Sequence, residues 1–249
     1  MDIINMDHSS RGGKKMFAEI KSSGPKLVPF AISLCLYFGL WLPISSPSWF
    51  SALLKCLPAL CLAAFVLSRG FGAGRSRPYS RKILVGLLLS FVGDIFLNWA
   101  DQGFFDHGVV SFGLAHLCYT LAMGIRPLMP GLALPLFLAS GGLLALLWPC
   151  LPSSATIPLA VYSAALALMS WRAVARWWRP PQGGARGSPS AAMGAALFIV
   201  SDFSLALDRF CSPLPHGRLG VMATYYLAQM LIAISVLDQA DPDSLWKRN

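Results

Sequence analysis

The chain has 249 residues, of which 55% are hydrophobic and only 12% charged, whereas a soluble domain carries about a quarter charged residues. Its net charge of +9 does not describe a nucleic-acid binder, because the basic residues sit at the ends of apolar runs and form no stripe with interleaved aromatics. The six cysteines include no C-x-x-C pair, which argues against a zinc ribbon or a thioredoxin-type redox site.

Apolar runs long enough to approach a bilayer crossing recur from the first third of the chain almost to its end. They predict an all-α fold, a polytopic bundle of about eight transmembrane helices. The spans are Leu27–Leu42, Trp49–Ser68, Lys82–Trp99, Gly108–Ile125, Gly131–Trp148, Ala155–Ala175, Ala191–Leu207 and Arg218–Leu237. Prolines and glycines fall between them, at Pro43 and Pro47, Gly70 to Pro78, Pro127 and Pro130, Pro152, Pro180 to Pro189, and Pro213 and Pro215. Residues 1–26 form a polar, partly basic leading segment without the pattern of a cleavable signal, residues 27–237 the membrane domain, and residues 238–249 a tail.

Lys and Arg distribute asymmetrically. Arg11, Lys14, Lys15, Lys21 and Lys26 precede the first span; Arg69, Arg75, Arg77 and Arg81 follow the second; Arg126 follows the fourth; Arg172, Arg176, Arg179 and Arg186 surround the sixth connection. Lys247 and Arg248 lie in the tail, while the first, third and fifth connections contain no Lys or Arg, and the seventh only Arg209 and Arg218. By the positive-inside rule both termini are cytosolic, which requires an even number of spans. Cys150 and Cys211 then fall at helix ends on the same, non-cytosolic side, a placement that permits a disulfide.

A short internal repeat accompanies this topology. Gly93-Asp94-x-x-Leu97 near the end of the third span resembles Ser201-Asp202-x-x-Leu205 near the end of the seventh. Each is followed by His-Gly, at His107-Gly108 and His216-Gly217, and nine residues later by a polar ring, His116 or Tyr225. Spans three and four would then be a parallel copy of spans seven and eight, as in folds built from repeats.

Polar residues inside the spans carry the functional reading, since a charge at mid-bilayer costs about 2.5–3.5 kcal/mol even on the forgiving insertion scale. Ser90, Asp94, Asn98 and Asp101 draw one polar stripe at helical spacing. Asp202 is flanked by apolar residues, and His116 sits mid-span with Tyr119 and Thr120 one turn on. Lys55 lies three residues before Pro58, and Tyr225, Tyr226 and Gln229 cluster within one turn of the last span. Both aspartates lie about twelve residues from the cytosolic ends of their spans, ~18 Å at 1.5 Å per residue. Lys55, His116 and Tyr225 enter from the other side, so all five are expected at one level, displaced from the midplane away from the cytosol. Interhelical hydrogen bonding is the alternative role for His116, Tyr225 and Gln229. Lys55 has two structural readings, a salt-bridge partner for an aspartate or, at its modest depth, a side chain that snorkels to the interface.

Two carboxyl groups in a low-dielectric site do not both ionise readily. One retains its proton as a general acid while the other serves as base, an arrangement suited to hydrolysis. There is no H-E-x-x-H, G-x-S-x-G or Gly-rich phosphate loop, and no ligand spacing argues for a metal. The apolar surroundings favour a lipid substrate. Presenilin-like proteases also use two aspartates, but their Gly-x-Gly-Asp is here Phe91-Val-Gly-Asp94 and their Tyr-Asp is Ser201-Asp202. Convergent charges between parallel repeats also describe a transporter or channel, and a non-catalytic lipid-binding protein is a third class.

At these residues the chain resembles the lysoplasmalogenase family, the YhhN-like group that includes animal transmembrane protein 86, and within it the A-type members. The resemblance runs from Gly24-Pro-Lys-Leu-Val-Pro to Ala223-Thr-Tyr-Tyr-Leu-Ala-Gln229 and includes Lys55-Cys-Leu-Pro58, Val92-Gly-Asp94, the His116 span, Ser201-Asp202 and Tyr225-Tyr226. It implies hydrolysis of the vinyl ether bond of a lysoplasmalogen within the bilayer, in the endoplasmic reticulum membrane and without a cofactor. Asp94 and Asp202 would be catalytic. Lys55, Asn98, His116, Tyr225, Tyr226 and Gln229 would position water or bind the phosphate and glycerol hydroxyl.

Overall fold

An apolar segment in hydrocarbon must satisfy its backbone hydrogen bonds internally, which leaves the helix as the solution for a single run. The computed structural model describes residues 24–41, 46–70, 77–178 and 187–239, and every long element among them is a helix. In chain order these are α1 Gly24–Leu40, α2 Trp49–Gly70, α3 Arg77–Asn98, α4 Phe105–Met123, α5 Pro130–Leu147, α6 Ser153–Trp178, α7 Pro189–Ala206 and α8 Gly217–Ile234. Five of them are long and apolar enough to cross a membrane. Each predicted span overlaps one of the eight helices. The leading segment before residue 24, the connection at residues 179–186 and the tail from residue 240 lie outside the described residues, with half of the Lys and Arg that set the predicted orientation.

Side-chain caps fix several helix ends. Ser48 and Ser51 exchange hydrogen bonds between backbone N–H and side-chain hydroxyl, a reciprocal cap at the start of α2. The Ser188 hydroxyl accepts from Ala191 N–H at the start of α7, with Pro189 in the first turn where its missing N–H costs nothing. At the other extreme, α3 and α6 run further than hydropathy alone predicts, so that Arg77, Arg81 and Arg176 join Lys82 and Arg172 within helices. Arg172 and Arg176 are therefore more than topological charges in a connection. Arg172 Nε donates to Gly124 O (2.8 Å) and Nη1 to Pro127 O (2.6 Å), and Arg176 Nη1 donates to Met123 O (2.8 Å). Lys82 Nζ adds a bond to Leu121 O at 2.8 Å. Three cations thus satisfy the carbonyls left over at the end of α4, where the helix dipole favours positive charge.

Six helices close a ring by successive packing: α2 on α3, α3 on α4, α4 on α6, α6 on α7, α7 on α8 and α8 back on α2. The tightest neighbours are the two antiparallel hairpins, α3 with α4 and α7 with α8. Small residues permit both. A Cβ on Gly86 of α3 would run into the Tyr119 ring of α4, and one on Gly194 of α7 would lie 3.0 Å from the Ala228 carbonyl of α8. Outside the ring, α1 sets Tyr37 and Phe38 edge-on against Tyr226, and α5 leans on α6 with nearly its whole surface exposed. Exposed leucine, isoleucine and valine around the bundle are what a lipid-facing surface requires. A disulfide joins Cys150, just beyond α5, to Cys211, just beyond α7, and marks one end of the bundle. That bond meets the expectation drawn from helix ends.

Candidate active site

The polar residues of the membrane domain converge inside the six-helix ring, in the half nearer the disulfide. Asp94 lies one turn before the end of α3 and Asp202 one turn before the end of α7, so the two hairpins present carboxylates at corresponding positions. Lys55 enters from the second turn of α2 and Tyr225 from α8. Together these side chains line a cavity of about 380 Å³, with Phe112, Leu159, Tyr162 and Met222 among its walls.

Asp94 is buried, and both of its oxygens face donors. Tyr225 Oη donates to Oδ2 at 2.5 Å, and Lys55 Nζ stands 3.5 Å from Oδ1. Behind Tyr225 the bonds continue: Gln229 Nε2 donates to the Tyr225 hydroxyl (3.3 Å), and Tyr119 Oη donates to Gln229 Oε1 (2.9 Å). Ser90 closes the series, its hydroxyl 3.5 Å from that of Tyr119. Every member of this chain is buried, and such networks hold their geometry when each group has a partner.

Asp202 is more open, 19% exposed on its side chain. Tyr162 of α6 donates to its Oδ2 at 2.6 Å, and His116 Nε2 lies 2.9 Å from the same Tyr162 hydroxyl and 3.6 Å from Oδ2. Because the single hydroxyl proton goes to Asp202, the histidine donates from Nε2. Its Nδ1 is buried without a hydrogen-bond partner. Phe198 of α7 packs edge-on against the His116 ring at 5.0 Å and against Tyr225 at 6.0 Å, and so separates the two polar groups with an apolar ring.

The contacts are reciprocal between the hairpins. Asp94 of the first is bonded by Tyr225 of the second, and Asp202 of the second faces His116 of the first. The flanking helices follow suit: α2 brings Lys55 to Asp94 and α6 brings Tyr162 to Asp202. Two-fold related copies of a three-helix unit would produce this exchange.

Of the predicted site residues, Lys55, Asp94, Asn98, Asp202 and Tyr225 reach the cavity wall, and the rest stand behind it. His116 and Gln229 are fully buried supports of the tyrosines. Tyr226 donates to Lys55 O at 2.8 Å, in the helical turn that Pro58 disturbs, and so fixes the backbone from which the lysine projects. Asn98 spends its amide on the cap of α2: Nδ2 donates to Ser48 O and Oδ1 accepts from Ser51 Oγ, both at 3.2 Å. The five groups expected at one level thus meet as two clusters on one cavity. Tyr162 was not anticipated, although it precedes Asp202 by 40 residues, nearly the interval from Lys55 to Asp94. Arg218, also on the wall, was read only as a flanking charge.

The chain is 47% identical over 223 residues to the lysoplasmalogenase TMEM86A of Bos taurus, covering 90% of this chain and 93% of that protein. It is 45% identical over 229 residues to the Homo sapiens lysoplasmalogenase TMEM86A, with 90% and 93% covered. For the Homo sapiens lysoplasmalogenase TMEM86B the identity is 43% over 216 residues, with 87% and 88% covered. No solved structure matches the chain. The YhhN family model matches residues 50–236, which contain α2 from its second residue, α3 to α8 and every residue of the two carboxylate clusters, and the chain belongs to the YhhN family.

Proposed function

We propose that the protein is a lysoplasmalogenase that hydrolyses the vinyl ether bond of lysoplasmenylethanolamine or lysoplasmenylcholine, releasing a fatty aldehyde and glycerophosphoethanolamine or glycerophosphocholine. The observation that carries the reading is the pair of aspartates on one membrane-embedded cavity with apolar walls, each held by a tyrosine from another helix. The relatives named lysoplasmalogenase support the same substrate class.

The hydrogen bonds divide the work between the carboxyls. Asp94 has a donor at each oxygen, which suits an ionised carboxylate. Asp202 receives its bond at Oδ2, which leaves Oδ1 to carry a proton into the cavity. In this mechanism Asp202 protonates the alkenyl carbon β to the ether oxygen, and the adjacent carbon becomes an oxocarbenium ion. Asp94 stabilises that cation and takes a proton from the water that adds to it. The resulting hemiacetal collapses: the ionised Asp202 takes its hydroxyl proton, Asp94 returns the water-derived proton to the ether oxygen, and aldehyde and glycerol hydroxyl separate with both carboxyls restored. The logic is that of two-carboxylate glycoside hydrolysis, with the first proton delivered to carbon.

On the same reading the protein lies in the endoplasmic reticulum membrane with both termini cytosolic. The disulfide supports this, since Cys150 and Cys211 then face the oxidising lumen. On this reading residues 27–237 are the catalytic membrane domain, between cytosolic segments. The test is aldehyde release from a lysoplasmalogen by the purified protein, with the saturated ether analogue as control. Asp94→Asn and Asp202→Asn should each lower turnover by about 10²–10⁴-fold, the range for loss of a general acid or base, while the protein stays folded. Near-normal turnover in either variant would remove that aspartate from the mechanism. No aldehyde from folded wild-type protein would favour transport or lipid binding.

A further inference from the structure

The mechanism above asks of Lys55 only its charge, as the counter-ion of Asp94. Among the described lysines it is nevertheless the one inside the bundle. Lys26 and Lys82 are exposed and donate to Ser68 O and Leu121 O. Lys55 is 15% exposed on its side chain, lines the cavity and stands 3.5 Å from Asp94. An amine and an aldehyde held in one apolar cavity condense. Building on the proposed hydrolase reading for the source of the aldehyde, we infer that Lys55 is a covalent capture site for a long-chain aldehyde, its Nζ forming an imine with the carbonyl carbon.

Three features bring the amine to the carbonyl. The carbon that becomes the aldehyde is the one to which Asp94 directs water, so it forms within one water of that carboxylate. Lys55 Nζ is 3.5 Å from Oδ1 of the same group. The backbone that carries the lysine is fixed, because the buried Tyr226 donates to Lys55 O at 2.8 Å. Leu54, Leu97 and Phe112 line the cavity beside it. Such walls take up an alkyl chain and keep out the bulk water that drives an imine back to amine and aldehyde.

The pairing with Asp94 enables the reaction. An ammonium has no lone pair, and lysines add to carbonyls in apolar sites where a neighbouring group relieves them of a proton. Asp94 takes the first proton from Lys55, the amine adds to the carbonyl carbon, and the proton passes on to the carbonyl oxygen. Asp94 then takes a second proton from the nitrogen of the carbinolamine and gives it to the hydroxyl. Water leaves as the C–N double bond forms. Ammonium and aldehyde have become iminium and water, nothing is oxidised or reduced, and Asp94 ends ionised. The iminium keeps the positive charge, so its ion pair with Asp94 persists. A captured alkyl chain fills the cavity and blocks turnover until water releases it.

The experiment treats the purified full chain with hexadecanal and sodium cyanoborohydride, which reduces an iminium to a stable secondary amine, and maps the adducts by mass spectrometry after digestion. Lys55 should be alkylated about tenfold or more faster than Lys26 and Lys82, the advantage of holding two reactants together. A saturated 1-O-alkyl-lysophosphocholine in the same cavity should suppress the Lys55 adduct and leave the other two unchanged. Equal alkylation of the three lysines, or a Lys55 adduct indifferent to that competitor, would overturn the capture site. A second arm replaces hexadecanal with lysoplasmenylcholine, whose quaternary ammonium forms no imine, and measures aldehyde release alongside the adduct. Aldehyde release with a Lys55 adduct supports capture of the product. Aldehyde release with no Lys55 adduct in either arm sinks the capture and leaves the hydrolase standing. A Lys55 adduct from hexadecanal, with no aldehyde from the lysolipid, sinks the hydrolase reading and leaves a capture site for aldehyde drawn from the membrane.

Discussion

Tyr225 reaches from α8 to Asp94 on α3 and donates a hydrogen bond of 2.5 Å, from one hairpin to the carboxylate of the other. Tyr162 does the same for Asp202 from α6, at 2.6 Å. Neither aspartate is oriented by its own hairpin alone. Closing the six-helix ring is what assembles the site, so a change that loosens the ring should disturb both carboxylates together.

The two tyrosines should nonetheless differ on removal. In Tyr225→Phe, Asp94 keeps Lys55 beside Oδ1 but loses the donor at Oδ2, and Gln229 Nε2 loses its acceptor. In Tyr162→Phe, Asp202 loses its donor and His116 Nε2 its acceptor, which frees the imidazole to approach the carboxylate directly. A hydrogen bond to a charged group is worth about 1.5–3 kcal/mol, so Tyr225→Phe should slow aldehyde release ten- to a hundredfold with little change in KM. Tyr162→Phe should be milder, and His116→Ala should matter more in that background than alone. Additive effects in the double variant would break the proposed link between His116 and Asp202 through Tyr162.

The helices were legible in the sequence because an uninterrupted apolar run in lipid has one backbone solution. The aspartates were legible because their cost in hydrocarbon demands a reason. Tyr162 was not, since a tyrosine within an apolar span has the same local signature whether it faces lipid or the bundle interior. Arg172 and Arg176 near the end of α6 resembled topological charges, because hydropathy does not record which carbonyls lie opposite. Asn98 shares the stripe of Asp94 and lines the same cavity, but the stripe does not show that its amide also holds the Ser48–Ser51 cap. In each case the missing information is a partner on another helix, which a single chain's periodicity does not carry.

The mechanism places a solvent-derived proton on carbon. Turnover in D₂O should give a fatty aldehyde with one deuterium on the carbon next to the carbonyl, detected by mass spectrometry after rapid trapping, with undeuterated aldehyde added to a parallel reaction to measure exchange. Proton transfer to carbon should also give a solvent isotope effect on kcat. Aldehyde without deuterium above the exchange control would exclude protonation of the alkenyl carbon, and with it the role given to Asp202.

Arg172 offers a test in which stability and activity should separate. It is 2% exposed, and its guanidinium supplies two of the bonds that satisfy the carbonyls following α4. Arg172→Met keeps much of the volume but removes both donors, leaving Gly124 O and Pro127 O without their present partner. The expected cost is about 2–4 kcal/mol, from charged hydrogen bonds of about 1.5–3 kcal/mol each partly offset by sparing the arginine its own desolvation. This end of α4 lies opposite the cavity, which is lined by the Phe105, Val109 and Phe112 end of the same helix. Thermal unfolding in detergent should therefore shift downward while KM for the lysoplasmalogen, measured well below the transition, stays near the wild-type value. A large KM change at unchanged melting temperature would mean that the two ends of α4 are coupled, and that Arg172 acts on the site and not on the fold.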